Sequence, residues 1–206
     1  MNREDLLDAL ARHAAADEAE AASLTWMRRF VGAPEDPFAR RNPIGHITAS
    51  AVVARPRGEA FLLVFHRKLG RWLQPGGHVE YDDASVFDAA LREAREETGI
   101  SEFASPIGRT ILDVDVHRIP ARTNEPAHHH FDVRFLLTTE RDVDLAASDD
   151  PTRPVEWRAG EEAIDSGGDG SLGRALGKAR RALSNSGVRS SFFGFSGSGR
   201  VRKMKT

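Results

Sequence analysis

The stretch that decides the fold runs from Gly76 to Ile100 and reads GGHVEYDDASVFDAALREAREETGI. A glycine turn at 75–77 leads through acidic residues into a segment with helical periodicity. Asp82 or Asp83 is a natural N-cap, because an aspartate side chain accepts hydrogen bonds from the first unpaired backbone N–H groups of a helix. Gly99 stands where a left-handed residue ends a helix. The sequence therefore predicts one amphipathic helix directly after a glycine turn.

One stripe of this helix is built from apolar and small residues when successive residues are placed about 100° apart. The stripe consists of Val86, Phe87, Ala90, Leu91, Ala94 and Thr98. The same projection places Glu97 inside the stripe and Glu93 at its edge. A charged run of this kind is ordinarily a solvated helix face with i,i+4 ion pairs. That interpretation accounts for the arginines but not for Glu97, because a half-buried carboxylate needs a paired cation or a metal.

A hard divalent cation would satisfy these carboxylates. Mg²⁺ takes oxygen ligands, keeps several waters and shares its coordination shell with substrate phosphates. Glutamates one helical turn apart, beside a glycine turn with accessible backbone carbonyls, are therefore suited to phosphate chemistry.

The stretch resembles the Nudix box, G-x5-E-x7-R-E-U-x-E-E-x-G-U, in which U is aliphatic. The matching residues are Gly77, Arg92, Glu93, Ala94, Glu96, Glu97, Gly99 and Ile100. The pattern is broken at Asp83, which stands where the family has glutamate and is separated from Arg92 by eight residues instead of seven. We expect the start of the helix to absorb the extra residue, so that Asp83 supports Arg92 and the glutamates keep their geometry.

The resemblance implies an α/β fold, a Nudix-type α/β/α sandwich with a mixed sheet, preceded by an N-terminal helical segment. It also implies a hydrolase that cleaves a phosphoanhydride bond of a nucleoside diphosphate linked to a group X, with Mg²⁺ or Mn²⁺ as cofactor. The implied metal ligands are Glu93, Glu96, Glu97 and a backbone carbonyl of Gly76 or Gly77. The glutamates and Arg92 are the implied catalytic residues, Arg92 orienting the carboxylates, and the identity of the general base is left open.

Two other functions compete with this one. A non-catalytic Nudix-like module that senses a nucleotide or ADP-ribose is disfavoured, because such modules usually lose a glutamate from R-E-x-x-E-E and here the motif is complete. An isomerase of the isopentenyl diphosphate type would be expected to use a cysteine, and the sequence has none. Sequence markers of particular substrates are absent, so the resemblance stops at the reaction class.

The amino-acid composition limits the kinds of binding partner that we expect. Charged residues make up 29% of the chain and the net charge is −2, which does not indicate a nucleic-acid-binding protein. The lack of cysteine excludes a disulfide framework and agrees with a cytoplasmic location. The N-terminus is charged and lacks the apolar region of a signal peptide, and the apolar run Ala60–Phe65 is too short to cross a membrane. We expect a small-molecule nucleotide substrate and no membrane partner.

The chain divides into three predicted parts: an N-terminal helical extension at 1–36, a Nudix domain at 44–183 and a flexible basic tail at 184–206. Two helices are expected within residues 3–31, and Asp17 is the expected N-cap of the second. We expect them to form a flap on the domain. The alternatives are that they contribute to a homodimer or cover the substrate. The strands are predicted at 47–54, 60–66, 110–119, 129–138 and 155–158. Two later helices are predicted at 160–164 and 171–183.

Two of these strands carry polar residues at every second position. The stripes are Asp113, Asp115 and His117 on the first strand, and His128, His130 and Asp132 on the second. An antiparallel hairpin with His117 opposite His128 would place both stripes on one face, near the glycine turn. This face is an exposed polar surface, a substrate wall or a histidine-rich zinc site. As substrate-binding residues we prefer His117, His128 and His130 to the aspartates, which would repel a phosphate. His129 points the other way and is expected to pack against other residues.

Overall fold

The structure is a computed structural model that describes residues 2–123, 126–144, 146, 148–165 and 170–185. Five helices lie in this part of the chain: α1 (Arg3–Arg12), α2 (Glu18–Val31), α3 (Val86–Thr98), α4 (Gly160–Asp165) and α5 (Ser171–Asn185). The strands there are β1 (Gly45–Ala54), β2 (Ala60–His66), β3 (Arg71–Leu73), β4 (Gly76–His78), β5 (Ile111–Ile119), β6 (His128–Thr138) and β7 (Val155–Ala159). Helix α5 includes the first two residues of the predicted tail, and the rest of that tail, 186–206, lies outside the described residues.

The strands of the described chain form one seven-stranded sheet, which is mixed as predicted, although β3 and β4 were not predicted as strands. The main order is β3-β2-β1-β6-β5, with β4 paired to β1 and β7 paired to β2. Strand β1 is antiparallel to β2 but parallel to β6. A parallel pair needs a long connection between its strands, and the connection from β1 to β6 contains helix α3. This topology places the glutamate-bearing helix against the centre of the sheet.

Helices cover both faces of the sheet and bury two apolar cores. One core joins α1, α2 and α3 to side chains such as Ala49, Ala51 and Val133. The other joins α4 and α5 to side chains such as Val52 and Leu136. Neighbouring strand residues point to opposite faces, so β1 and β6 contribute to both cores. The predicted α/β/α sandwich is therefore confirmed.

The N-terminal helices pack on the sheet as a flap. Helix α2 begins at the predicted cap, where Asp17 accepts a hydrogen bond from the Glu20 backbone N–H at 2.8 Å. Phe30 stacks on Phe131 of β6, with the ring centroids 4.0 Å apart. Leu10 and Met27 have no exposed surface. The flap thus shares the apolar core of the domain.

Helix α3 begins two or three residues later than expected. The cap is Ser85, whose hydroxyl accepts from the Asp88 backbone N–H at 3.2 Å, and not Asp82 or Asp83. Asp83 is unavailable because its carboxylate binds Arg92 and the Glu80 backbone N–H. The helix ends as predicted at Gly99, which has a φ of 69°.

The predicted glycine turn is instead the short strand β4. Gly76 pairs with Ser50 and Gly77 with Ala49 in an antiparallel register. A Cβ atom at Gly76 would lie 2.3 Å from the Ser50 hydroxyl, and one at Gly77 would lie 2.6 Å from the carboxylate oxygens of Glu93. Glycine is required at both positions by these close approaches, not by a turn conformation.

The predicted hairpin of β5 and β6 exists, but its register is shifted by two residues. His117 pairs with His130, Asp115 with Asp132 and Asp113 with Arg134. The pairing also contains an irregularity between Ile111 and Asp113. A shift of two leaves every side chain on its original face, so both polar stripes share one face as predicted.

Candidate active site

Arg92 stands at the centre of the box residues. Its guanidinium donates to Glu93 at 3.0 Å, to Glu96 at 2.8 Å and to the His78 carbonyl at 2.9 Å. It also forms a bidentate ion pair with the Asp83 carboxylate, through two hydrogen bonds of 3.0 Å. Asp83 therefore occupies the supporting position predicted for it, and the extra residue is accommodated before the helix begins. These contacts hold the glutamates of α3 against β4.

The three box glutamates differ in exposure as the helical projection predicts. The side chains of Glu93 and Glu97 are 15% and 16% exposed, whereas that of Glu96 is 35% exposed. Glu97 accepts a hydrogen bond from the Gly76 backbone N–H at 3.1 Å. It also forms an ion pair with Arg153. Glu97 is thus a largely buried carboxylate held between β4 and a loop that the sequence had not connected with it.

That loop precedes β7 and closes a small cavity over α3. The cavity has a volume of about 120 Å³ and is lined by Glu93, Glu96, Glu97, Asp149, Asp150 and Arg153. The Asp149 backbone N–H donates to the Glu96 carbonyl at 2.8 Å, which fixes the loop on the end of the helix. Sequence reasoning missed the three loop residues. Their only sequence signal is the charged run around Asp149 and Asp150, which is common in surface loops.

Electrostatics favour a cation in this cavity. Burial raises the pKa of Glu97 to about 7, although Arg153 and the Gly76 N–H act in the opposite direction. Burial also raises the pKa of Glu93, and the hydrogen bond from Arg92 only partly offsets it. Carboxylates that are costly to ionise in the protein alone become favourable beside a divalent ion. The donor set, which contains only oxygen, fits the Mg²⁺ or Mn²⁺ that the box implies.

The polar stripes of β5 and β6 lie on the opposite face of the sheet from α3, and α5 contacts them at Asp113. Asp113 has no exposed surface and Asp132 is 3% exposed. Arg134 contacts both, Asp132 at 2.9 Å and Asp113 at 3.2 Å, and Arg174 of α5 binds Asp113 at 2.8 Å. The interpretation as an exposed polar face is wrong for these aspartates, because they belong to a buried ion-pair network.

The three predicted substrate-binding histidines lie together at the other end of this face. His117 is the most accessible of them, with 45% of its side chain exposed, and its Nδ1 lies 3.0 Å from Asp115 Oδ2. His130 is half-buried and its ring lies 5.5 Å from that of His117. His128 is buried, and its Nδ1 lies 2.9 Å from the Pro126 carbonyl. His129 packs against Trp26 at 4.7 Å between rings, as expected for the other face.

Several solved structures are similar to this chain. An Ap4A hydrolase from C. elegans is 23% identical, with 66% of this chain and 97% of that chain covered and a TM-score of 0.47. A protein from Jonesia denitrificans, named a possible asymmetric diadenosine tetraphosphate hydrolase, is 18% identical over 67% and 94% of the two chains, with a TM-score of 0.50. Dihydroneopterin triphosphate pyrophosphohydrolase from E. coli is 16% identical over 63% and 91%, with a TM-score of 0.45. Of these three, the structure from Jonesia denitrificans reaches a TM-score of 0.50, and at 18% identity it supports the fold alone.

No curated protein sequence matches the chain. None of the helices described above is long and apolar enough to cross a membrane. Residues 45–173, however, match the profile of the NUDIX domain, which is more than half of the chain. The match includes the whole of α3 and the sheet that supports it, and it confirms the predicted class of enzyme, a hydrolase acting on phosphoanhydride bonds. The chain belongs to the NUDIX domain family.

Proposed function

We propose that the protein is a divalent-cation-dependent pyrophosphohydrolase that cleaves a phosphoanhydride bond of a nucleoside diphosphate linked to a group X. The observation that carries this proposal is the arrangement of Glu93, Glu96 and Glu97 around one cavity, with Arg92 holding two of them in place. A sensing module has no need of a complete and oriented set of carboxylates.

Glu93, Glu96 and Glu97, with a backbone carbonyl of Gly76 or Gly77, would hold Mg²⁺ or Mn²⁺. When bound, such an ion offsets phosphate charge and lowers the pKa of a coordinated water. Arg92 keeps the carboxylates oriented, and Asp83 keeps Arg92 in place. Asp149 and Asp150 add negative charge at the rim of the cavity.

Arg153 is the proposed phosphate-binding residue contributed by the loop. Its guanidinium lies in the cavity beside Glu97 and is 33% exposed, so it is within reach of a bound substrate. A guanidinium binds phosphate with two parallel hydrogen bonds. Its positive charge also reduces the repulsion between a diphosphate and the surrounding carboxylates.

The histidines of the polar face remain the proposed binding residues for the rest of the substrate. Accessibility ranks His117 first and His130 second, and burial makes His128 a supporting residue. Strand β4 separates them from the box, because Gly77 faces Glu93 while the next residue, His78, points to the other side of the sheet.

A panel assay tests this proposal. The panel contains nucleotide sugars, ADP-ribose, dinucleoside polyphosphates and nucleoside triphosphates, each incubated with Mg²⁺ and then with a phosphatase that releases phosphate from the products. Turnover of any member supports the hydrolase. Binding of members without turnover of any would favour the sensing module instead.

A further inference from the structure

Five histidines converge on one place in the fold that the box does not explain. They are His46, His78, His117, His128 and His130, and we call them the histidine cluster. His46 is central, with its ring centroid 4.9 Å from those of His78 and His130 and 5.1 Å from that of His128. The ring of His117 contacts that of His130, with the two centroids 5.5 Å apart. These contacts bring together four strands, β1, β4, β5 and β6.

Strand register places the cluster on the face opposite the box helix. His46 of β1 is the direct neighbour of His130 in the parallel pair with β6. His78 of β4 pairs with Thr48, two residues further along β1 on the same face as His46. The adjacent Ala49 belongs to the core that contains α3. The histidine cluster and the box glutamates therefore lie on opposite sides of β1 and β4.

His46 has an unusual environment for a histidine. Its side chain is 1% exposed, and neither ring nitrogen has a hydrogen-bond partner among the residues that the structure describes. A neutral imidazole always carries one N–H donor and one lone-pair acceptor, and leaving such groups buried without partners destabilises the folded protein. A ligand bound among these rings would remove this destabilisation.

We propose that His46, His78 and His130 form a second metal site, selective for a divalent transition metal such as Zn²⁺. One ring nitrogen from each residue can be chosen so that all three lie within 4.8 Å of one another. Tetrahedral zinc with Zn–N bonds of about 2.0–2.1 Å requires its nitrogens to be about 3.3 Å apart. Small rotations of the three rings would close that difference, and three protein ligands leave a fourth position for water or a substrate oxygen.

The ligand chemistry separates this site from the box. Three imidazoles suit Zn²⁺, Co²⁺ or Ni²⁺, whereas Mg²⁺ prefers oxygen.

The surroundings also fit a cation. His117 lies against His130 and its Nδ1 is 3.0 Å from the carboxylate of Asp115, so a negative charge lies near the histidine cluster. The His78 carbonyl accepts a hydrogen bond from Arg92 at 2.9 Å, which anchors this ligand's backbone to the box.

A cobalt titration of the full chain tests the proposal. Protein stripped of metal with a chelator should bind one equivalent of Co²⁺ with the visible absorption of a tetrahedral nitrogen site, and Zn²⁺ should displace it. His46→Gln and His130→Gln should each weaken binding by more than the roughly 10–100-fold typical for loss of an outer partner. His129→Gln is the matched control, because His129 follows directly on His128 but packs on the other face.

Glu97→Gln distinguishes this proposal from the proposed function. It should lower kcat by at least about 100-fold and leave the cobalt spectrum unchanged. Absence of the tetrahedral spectrum, or binding that survives both His46→Gln and His130→Gln, would overturn the second site. If those variants do not fold, ¹⁵N spectra of the unsubstituted protein decide: Zn²⁺ should shift the ring nitrogens of His46, His78 and His130 but not those of His129, and any other pattern refutes the proposal.

Discussion

Among single residues, Glu97 is the one whose position in the helical pattern points to the proposed metal chemistry. Its position inside the apolar stripe of α3 was visible from the sequence, and the structure explains its burial by contacts with Gly76 and Arg153. Since burial raises the pKa of Glu97 to about 7, the carboxylate gains most from a cation bound beside it. Replacing it should therefore affect metal binding and catalysis much more than folding.

We predict that Glu97→Gln lowers kcat by at least about 100-fold, because a metal ligand contributes several kcal/mol to transition-state stabilisation. The melting temperature should stay nearly constant, since the amide has the same shape and removes a carboxylate that is costly to bury. Glu96→Gln should cost less, because that side chain is more exposed. Glu102→Gln is the control, since Glu102 is 66% exposed and paired with Arg141. Activity within tenfold of the unsubstituted protein would mean that the metal ligands are misassigned.

Residues of the box could be predicted because their spacing is local. The sequence yielded Gly77, Arg92 and the glutamates, and it anticipated that Asp83 supports Arg92. It could not reveal Arg153, which reaches Glu97 across 56 positions in the chain. It also assigned the helix cap to Asp82 or Asp83, because nothing local shows that Arg92 already occupies the carboxylate of Asp83.

Strand β4 is the element that positions the box helix. Gly77 approaches the Glu93 carboxylate and Gly76 approaches the backbone of Ser50, so a methyl group would collide in either place. The two collisions differ in kind. At Gly77 the obstacle is the end of a flexible side chain, and at Gly76 it includes the Ser50 Cα at 2.7 Å and the Ala49 carbonyl at 2.8 Å.

Gly77→Ala should therefore leave the protein folded but turn Glu93 away, lowering metal affinity and kcat by roughly 10–100-fold, as when the orientation of a ligand is lost. Gly76→Ala should instead lower the melting temperature, because backbone atoms of β1 must move. Parallel measurements of thermal unfolding and Mg²⁺-dependent turnover separate the two variants. Equal behaviour of both would show that β4 does not position the helix as we describe.

In the hairpin of β5 and β6, the shared face of the polar residues could be predicted from the sequence, but the pairing register could not. Alternation of polar and apolar residues correctly placed both stripes on one face, because that pattern has a period of two. The register was wrong by two residues, because a period-two pattern is unchanged by such a shift and the irregularity near Asp113 has no sequence signal. Burial of the aspartates depends on Arg134 and Arg174, whose approach requires α5 to be in place.

Arg134 should be essential for stability, because it is 3% exposed and contacts Asp113, Asp115 and Asp132. Arg134→Met would remove the cation that these buried carboxylates share and should cost about 3–5 kcal/mol. For a chain of this size that corresponds to a melting temperature lower by about 6–20 °C. Arg141→Met is the control, since its ion pair with Glu102 is exposed and is worth at most about 1 kcal/mol. Equal melting temperatures for the two variants would contradict the buried network.

Glu20 joins three parts of the molecule. It lies on α2 with no exposed surface and binds His13 after α1 at 2.7 Å, Lys178 of α5 at 2.5 Å and the Val114 backbone N–H of β5 at 3.3 Å. No pattern in the sequence marks it, because a glutamate in the first turn of a helix is ordinarily exposed. The predicted flap is therefore tied to the sheet by charge as well as by apolar contact.

This contact predicts a pH dependence of folding. Burial alone would raise the pKa of Glu20, but hydrogen bonds from His13, Lys178 and the Ala16 N–H hold it well below its ordinary value of 4.5. The folded protein thus holds this proton less tightly than the unfolded chain. The stabilisation is complete above about pH 4.5 and is lost as the pH falls below that value.

Denaturant unfolding between about pH 3 and pH 7 measures this effect, and Glu20→Gln should be less stable at pH 7 and show a smaller loss of stability on acidification. The difference in slope cannot exceed about 1.4 kcal/mol per pH unit for one proton. Glu18→Gln is the control, because Glu18 lies in the same turn but is exposed. Parallel stability curves for the unsubstituted protein and Glu20→Gln would contradict the assignment.

We expect water to attack a phosphorus atom of a diphosphate linkage with the help of an ion held by the box glutamates. Turnover of the nucleotide panel in ¹⁸O-labelled water, followed by mass spectrometry of the products, tests this step directly. The expected result is one ¹⁸O atom per turnover, in one of the two phosphate-bearing products, and only when Mg²⁺ or Mn²⁺ is present. Label attached to a carbon atom, turnover that persists in excess chelator, or no product from any member of the panel would contradict it.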